Sequence, residues 1–222
     1  MSSTFAAEPP LTRLTNDGRL KQRPCWSPDG KTLVFARHVG ATIQLVLLDV
    51  TTGKERRLNK RNAPEYDAVF SPDGKRLAFA FDKASPNQGD MEVYLCDADG
   101  KNLKPLAFTQ GKVSHEESPA WSRDGKRIAY TSTRDGNQEL YVVGIDGKGR
   151  KRLTSNPAID AHPTWSPDGK TIVFATNRWG DIELGAVNLS TGVVTRLTHS
   201  KGLDDYPAWS PDGKRLAFTS NR

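Results

Sequence analysis

No stretch of this chain approaches the roughly 18 consecutive apolar residues of a membrane-spanning helix, so no such span is expected. Like charges never run to five in a row, and the net charge of +6, from 32 basic against 26 acidic residues, is spread along all 222 positions. A concentrated basic patch for nucleic acid is therefore not indicated. Enzyme signatures are missing too: the sequence holds no Gly-x-Ser-x-Gly elbow, phosphate loop, zinc-protease His pair or Cys-x-x-Cys. Cysteine is scarce. Cys25 falls at the repeat position of Ala120, Thr164 and Ala208, and Cys96 at that of Leu48, Val143 and Val187, so both read as small buried hydrophobes that do not report the redox compartment. Neither a cofactor nor a metal ion is expected. Met1 to Pro10 lacks the basic and apolar regions of a signal peptide, although Ala6-Ala7 before Glu8-Pro9-Pro10 resembles the small-residue end of one. It reads as a disordered N-terminal segment, and residues 11–222 as one domain.

What is abundant is turn chemistry, with 19 Gly and 14 Pro. One phrase, an aromatic followed by Ser-Pro-Asp-Gly-Lys, occurs five times: at Trp26, at Phe70, at Trp121 (with Arg123 replacing Pro), at Trp165 and at Trp209. From aromatic to aromatic the spacing is 44, 51, 44 and 44 residues. A period near 44 suits a repeated four-stranded propeller blade. Within the phrase, Ser can bond forward to the backbone, Pro presets φ, and Gly takes the left-handed conformation of a bulged hairpin, so the phrase itself reads as scaffold.

Four strands follow in each unit. The first leads into the phrase; the second leaves it, as at Thr32 to Arg37, with Leu33 and Phe35 on one face and Val34 and Ala36 on the other. A strand apolar on both faces is one packed between two sheets. Third strands are expected at Ile43 to Asp49, Met91 to Asp97, Glu139 to Gly144 and Ile182 to Asn188. Fourth strands carry an Arg-Leu-Thr tag, at Arg13 to Thr15, Arg152 to Thr154 and Arg196 to Thr198, with variants at Arg57 and Pro105. From tag leucine to the next aromatic is 12 residues, except for 15 between Leu106 and Trp121. The long second unit thus carries three extra residues there and four more near Asp82 to Asp90, between strands where loops tolerate them.

The run from Trp121 through Thr133-Arg134-Asp135-Gly136-Asn137, Glu139-Leu140-Tyr141-Val142-Val143 and Asp146-Gly147 to Arg152-Leu153-Thr154 resembles the WD-like repeat of TolB-type β-propellers, and the resemblance extends over residues 11–222. It implies an all-β propeller of four-stranded antiparallel blades, of which a count of strands gives four complete blades plus a partial fifth, an open or truncated ring in which Leu11 to Thr15 is an orphan fourth strand. It also implies six blades in a full ring, and a periplasmic or otherwise extracytoplasmic setting. An open array would leave an edge and two apolar blade faces bare.

Short identical turns at one end of the blades leave function to the longer, variable connections at the other. Five residues before the aromatic stand Glu65, Glu116, Asp160 and Asp204, with Lys21 the exception, and beside them Asp67, Glu117, Asp205, His115, His162, Tyr66 and Tyr206. Such positions approach one mouth of a propeller channel, where carboxylates can hold a cation or receive a basic protein or peptide segment. Acidic loop ends are also ordinary solvated turn formers. His115, His162 and His199 sit at different repeat offsets, which disfavours a shared metal. Trp179, the one Trp outside the phrase, lies at an expected loop tip and is either a partner anchor or folded back on a blade. The leading reading is a non-catalytic protein-interaction scaffold. The alternatives are the propeller of a prolyl-oligopeptidase-type serine peptidase whose catalytic domain lies outside this chain, and a sugar- or metal-handling propeller enzyme working at the channel mouth.

Overall fold

The computed structural model describes residues 11–61, 63–82, 91–107 and 114–222. Among these every regular element is a strand. The first blade is β1 (Lys21–Trp26), β2 (Thr32–Val39), β3 (Thr42–Asp49) and β4 (Glu55–Arg57); the second β5 (Glu65–Phe70), β6 (Arg76–Asp82), β7 (Met91–Asp97) and β8 (Lys104–Ala107). The third is β9 (Glu116–Trp121), β10 (Arg127–Ser132), β11 (Glu139–Gly144) and β12 (Lys151–Arg152), and the fourth β13 (Asp160–Trp165), β14 (Thr171–Trp179), β15 (Asp181–Asn188) and β16 (Val194–Arg196). A fifth sheet holds only β17 (Asp204–Trp209) and β18 (Leu216–Ser220). All pairings run antiparallel in sequence order within a blade, and among the described residues no sheet joins first and last blades, so the ring is open.

The phrase that sets the period builds the same turn five times. The serine hydroxyl donates to the aspartate Oδ1 at 2.6 Å in every copy. Its oxygen accepts the amide five residues on at 2.9–3.0 Å, and the lysine amide donates to the same aspartate at 3.0–3.1 Å. The glycines between, such as Gly169 at φ 68°, close the reversal in the left-handed region. Aspartate is therefore the hub of the turn rather than a residue merely tolerated there. Hydrogen bonds from Ser166 and from the Lys170 amide hold the Asp168 carboxyl below its ordinary value, and its four counterparts are shifted the same way.

Each blade buries its faces against the next. Val34, Leu45 and Leu47 meet Leu77, Phe79 and Phe81 between the first and second blades; Ala78, Val93 and Leu95 meet Ile128, Tyr130 and Tyr141 at the following interface; Ala129 and Leu140 meet Trp165, Ile172 and Phe174 at the third. The repeat aromatic stitches these layers. Trp121 Nε1 donates to Val69 O at 3.2 Å and Trp165 Nε1 to Ala120 O at 3.0 Å, each carbonyl belonging to the preceding blade. Trp26 has no preceding blade and is 52% exposed. Bare blade faces are thus met at Trp26 but not at Leu33, Phe35, Val46 and Leu48 of the same blade, which are buried.

Two expected details differ. Leu11 to Thr15 forms no strand, with Leu11 fully exposed; among the described residues the fifth sheet holds β17 and β18 alone. Three of the fourth strands also stop at the first residue of the tag, Arg57, Arg152 and Arg196, whereas β8 runs through its variant to Ala107. The tag threonines instead turn inward, and Thr154 and Thr198 Oγ1 accept the Leu140 and Leu184 amides at 3.0 Å. The expected segment 1–10, most of the loop at Asp82 to Asp90, and part of the Leu106 to Trp121 connection lie outside the described residues.

Candidate binding site at the channel axis

First strands carry a bulge at one register position. In β13, Ala161 pairs with Ala175 and Thr164 with Val173, so His162 and Pro163 together oppose Phe174; β1, β5, β9 and β17 shift register at the same place. The bulged residue has positive φ in all five blades: Arg23 at 50°, Asp67 at 57°, Ser118 at 52°, His162 at 52° and Tyr206 at 53°. Proline follows in four of the five, tolerated because a bulge needs no ladder donor there. A non-glycine residue held left-handed is uncommon, and strain of this kind collects where function demands it.

These five side chains converge on the channel, in a cavity of about 780 Å³. Arg23 reaches across it. Its Nη1 lies 2.6 Å from Asp67 Oδ2 and donates to Ser118 Oγ at 3.1 Å; its Nη2 donates to the Tyr206 hydroxyl at 3.0 Å and stands 3.4 Å from His162 Nε2. One guanidinium from the first blade thereby touches the other four. Ser118 donates its hydroxyl to Asp67 Oδ2 at 3.2 Å. His162 Nδ1 is 2.7 Å from Asp205 Oδ1, and its ring stacks on Tyr206 at 4.1 Å. Since arginine has no lone pair to offer, His162 Nε2 is the acceptor and Nδ1 carries the proton toward Asp205.

Of the residues singled out from the sequence, Asp67, His162, Asp205 and Tyr206 are brought together here. The acids five before the aromatic are placed elsewhere, buried at 0–1% exposure within their own blades. Asp160 accepts from Thr176 at 2.7 Å and is clamped by Arg178; Glu116 accepts from Ser114 and Ser132 at 2.9 and 2.7 Å. Burial raises the Glu65 carboxyl above its ordinary range, with Asn59 donating to it. Burial pushes on Asp204 likewise, but hydrogen bonds from Ser220, Ser200 and Thr198 outweigh it and hold that carboxyl low. Glu117 accepts from Gln138 at 2.8 Å, and the His115 amide donates to Thr133 Oγ1 at 2.9 Å. Trp179 ends β14 partly buried, with Arg196 5.4 Å from its ring and Gly185 beneath it, folded over its own blade. Tyr66 is partly buried at the second position of β5, its hydroxyl raised chiefly by burial. Arg23 and Ser118 were missed, although counting three rather than five residues back from each aromatic finds both.

Residues 87–222, more than half of the chain, match the family described as the TolB beta propeller domain. The chain belongs to that family. Its relatives include the Tol-Pal system protein TolB of Francisella tularensis subsp. mediasiatica, 31% identical over 125 residues, which cover 56% of this TolB-type chain and 27% of the relative. The chain thus spans about a quarter of the length of the curated relatives it matches. Among solved structures, the protein described as TolB from Agrobacterium tumefaciens superposes with a TM-score of 0.80 at 29% identity, over 94% of this chain and 72% of that one. TolB from Acinetobacter baumannii does so with a TM-score of 0.75 at 26% identity, over 91% and 49%. Among the described residues no helix is long and apolar enough to cross a membrane, and no group of three or more His, Cys, Asp or Glu could hold a metal ion.

Proposed function

We propose that this TolB-type propeller is a non-catalytic protein-interaction scaffold that receives a protein or peptide segment at its channel mouth, in a periplasmic assembly of the Tol-Pal kind. The observation that carries the reading is the ring of five left-handed residues, one per blade, converging on a single cavity. A scaffold that repeats one backbone distortion while varying the side chain on it, Arg, Asp, Ser, His and Tyr, holds five different polar groups at fixed positions around an axis. Tyr206, 44% exposed, is the aromatic handle of that ring. Asp67 and Asp205 against Arg23 leave one negative charge in excess when His162 is neutral, which favours a basic side chain in the partner.

The same geometry speaks against nucleophilic chemistry by Ser118, the serine of the ring. Its hydroxyl is bonded to Asp67 and Arg23, while His162 is bonded to Asp205 and Arg23; the guanidinium stands where a serine-histidine contact would have to form. A photocrosslinking amino acid at position 206 should capture a Tol-Pal-type partner in the native envelope, whereas the same group at Lys75 or Lys170, at the opposite end of the blades, should not. Equal capture from both ends would defeat the assignment, and specific labelling of the chain by a fluorophosphonate would overturn the non-catalytic reading.

A further inference from the structure

Two of the four interfaces between successive blades share one device that the first lacks, and at the fourth the same two positions are Thr171 and Trp209. Between the second and third blades Arg76 holds its Cζ 5.1 Å from the ring of Trp121; between the third and fourth, Arg127 sits 4.7 Å from that of Trp165. Each arginine is the residue immediately after the turn phrase, and each tryptophan is the aromatic of the next copy. Between the first and second blades these two positions are Thr32 and Phe70, a shorter side chain facing a smaller ring. The space that a guanidinium and an indole occupy elsewhere is a cavity of about 650 Å³, lined by Thr32, Phe70 and Leu47 and walled by the turns at Pro28 and Gly74.

Splayed blades are not the cause. A Cβ built on Gly74 would stand 3.4 Å from Pro28 Cδ, and one built on Gly125 3.8 Å from Pro72 Cδ, so the turns approach at least as closely here as at the interface that is filled. The short Thr32 side chain and the smaller Phe70 ring face the opening. Its lining is also acidic: Asp29, Asp49, Asp73 and Glu55 outnumber Lys54 and Arg56, Arg56 is engaged with Ala98 O at 2.6 Å, and Glu55 is engaged with Arg37 at 2.5 Å. At the filled interfaces the arginine helps hold down the carboxyl of its own turn, Arg76 that of Asp73 and Arg127 that of Asp124. Asp29 is the counterpart in the open one, and its hydrogen bonds within the chain converge on Oδ1.

We propose that this inter-blade cavity is a binding site for the guanidinium of an arginine side chain presented by a peptide, stacked on Phe70 with Asp29 as its counter-ion. The chain itself shows twice over what the position accepts: a planar cation lying on an aromatic face beside a turn carboxylate. A lysine ammonium matches the charge but not the plane. The site lies at the turn end of the first two blades and is independent of the channel mouth.

The test uses the whole chain, labelled with nitrogen-15, and N-acetyl-L-argininamide as the probe. Saturable shifts are expected at the amides of Thr32, Phe70 and Gly74, with binding of the lysine analogue at least about tenfold weaker and none by the uncharged citrulline analogue. Thr32→Arg should abolish probe binding while raising the melting temperature, because the chain then supplies its own guanidinium; a variant that is more stable cannot lose the probe by unfolding. Asp29→Asn should weaken the probe at least about fivefold, by the loss of a charge-assisted partner. Undiminished binding to Thr32→Arg, equal binding of arginine and citrulline analogues, or shifts confined to Arg23, His162 and Tyr206 would each overturn the proposal.

Discussion

Replacing Trp165 by alanine tests whether the repeat aromatic is the fastener between blades. Trp165 is 6% exposed and lies among Ala129, Leu140, Ile172 and Phe174, so its removal opens a cavity on both sides of the third interface. A tryptophan buries on the order of 150 to 250 Å², which at about 25 cal/mol per Å² gives roughly 4 to 6 kcal/mol of transfer free energy. Its indole N–H bond to Ala120 O at 3.0 Å contributes about 1 kcal/mol net. The Arg127 guanidinium at 4.7 Å adds on the order of 0.5 to 1 kcal/mol. These contributions overlap, and relaxation of the surrounding side chains recovers part of them, so the expected loss is about 3 to 5 kcal/mol, in line with large-to-small core substitutions.

The same motif position supplies an internal control. Trp26 is 52% exposed, so Trp26→Ala should cost less than about 1 kcal/mol. Urea denaturation followed by far-ultraviolet circular dichroism reads both, at denaturant concentrations where the array unfolds in one step, since stacked repeats can melt separately. A loss below about 1 kcal/mol for Trp165→Ala, or equal losses at the two positions, would refute the account of blade packing.

Three further outcomes follow from particular contacts. The five turn aspartates have folded-state pKa values below the ordinary 3.8, so the stability they contribute is complete above that value and is lost as pH falls through their lower folded-state values; a denaturation midpoint that did not decline in that acid window, or that declined just as steeply in Asp168→Asn, would contradict the assignment. Arg23→Met should destabilise the chain by about 1 to 3 kcal/mol, since Asp67 loses its charge partner, discounted because the arginine is one-third exposed; adding Asp67→Asn should recover part of that loss, and a strictly additive double variant would show that the two do not interact. Gly100→Ala places a Cβ 2.1 Å from Leu58 O at φ +88° and should cost more than about 1 kcal/mol by thermal melting, whereas an unchanged melting temperature would mean that this turn is not held as described.

Much of the fold was legible because it is written as a repeat. A period of 44 residues carrying its own turn fixed the blades, and second strands apolar on both faces fixed how they stack; Leu77, Phe79 and Phe81 go to one interface and Ala78 to the next. What propensity and spacing did not reveal was how each tag ends. Arg152 and Arg196, the last ladder residues of their strands, send their guanidiniums to buried Glu139 and Glu183 on the neighbouring strand, a satisfaction of charge across the blade that no local pattern announces. Leu11 to Thr15 carries the tag yet forms no strand, so identical local sequence gives different structure.

The site was half legible for a reason that can itself be tested. Asp160 and His162 were read together as neighbours near the channel mouth, and strict alternation along a strand would likewise put residues five and three before the aromatic on one side. The bulge between Ala161 and Thr164 inserts one unpaired residue and reverses that facing, sending His162 to the channel and leaving Asp160 inside the blade. Asp160 is fully buried and bridges Thr176 and Arg178, so Asp160→Asn should cost about 2 to 4 kcal/mol by stranding Arg178. His162 keeps an 18% exposed side chain, so His162→Gln should cost less than about 1 kcal/mol while diminishing partner capture at position 206, where its ring stacks. Two acidic or basic residues two positions apart would then divide cleanly between stability and binding. A large stability loss at His162 with normal capture, or a neutral Asp160→Asn, would show that the bulge does not separate the blade's interior from its channel.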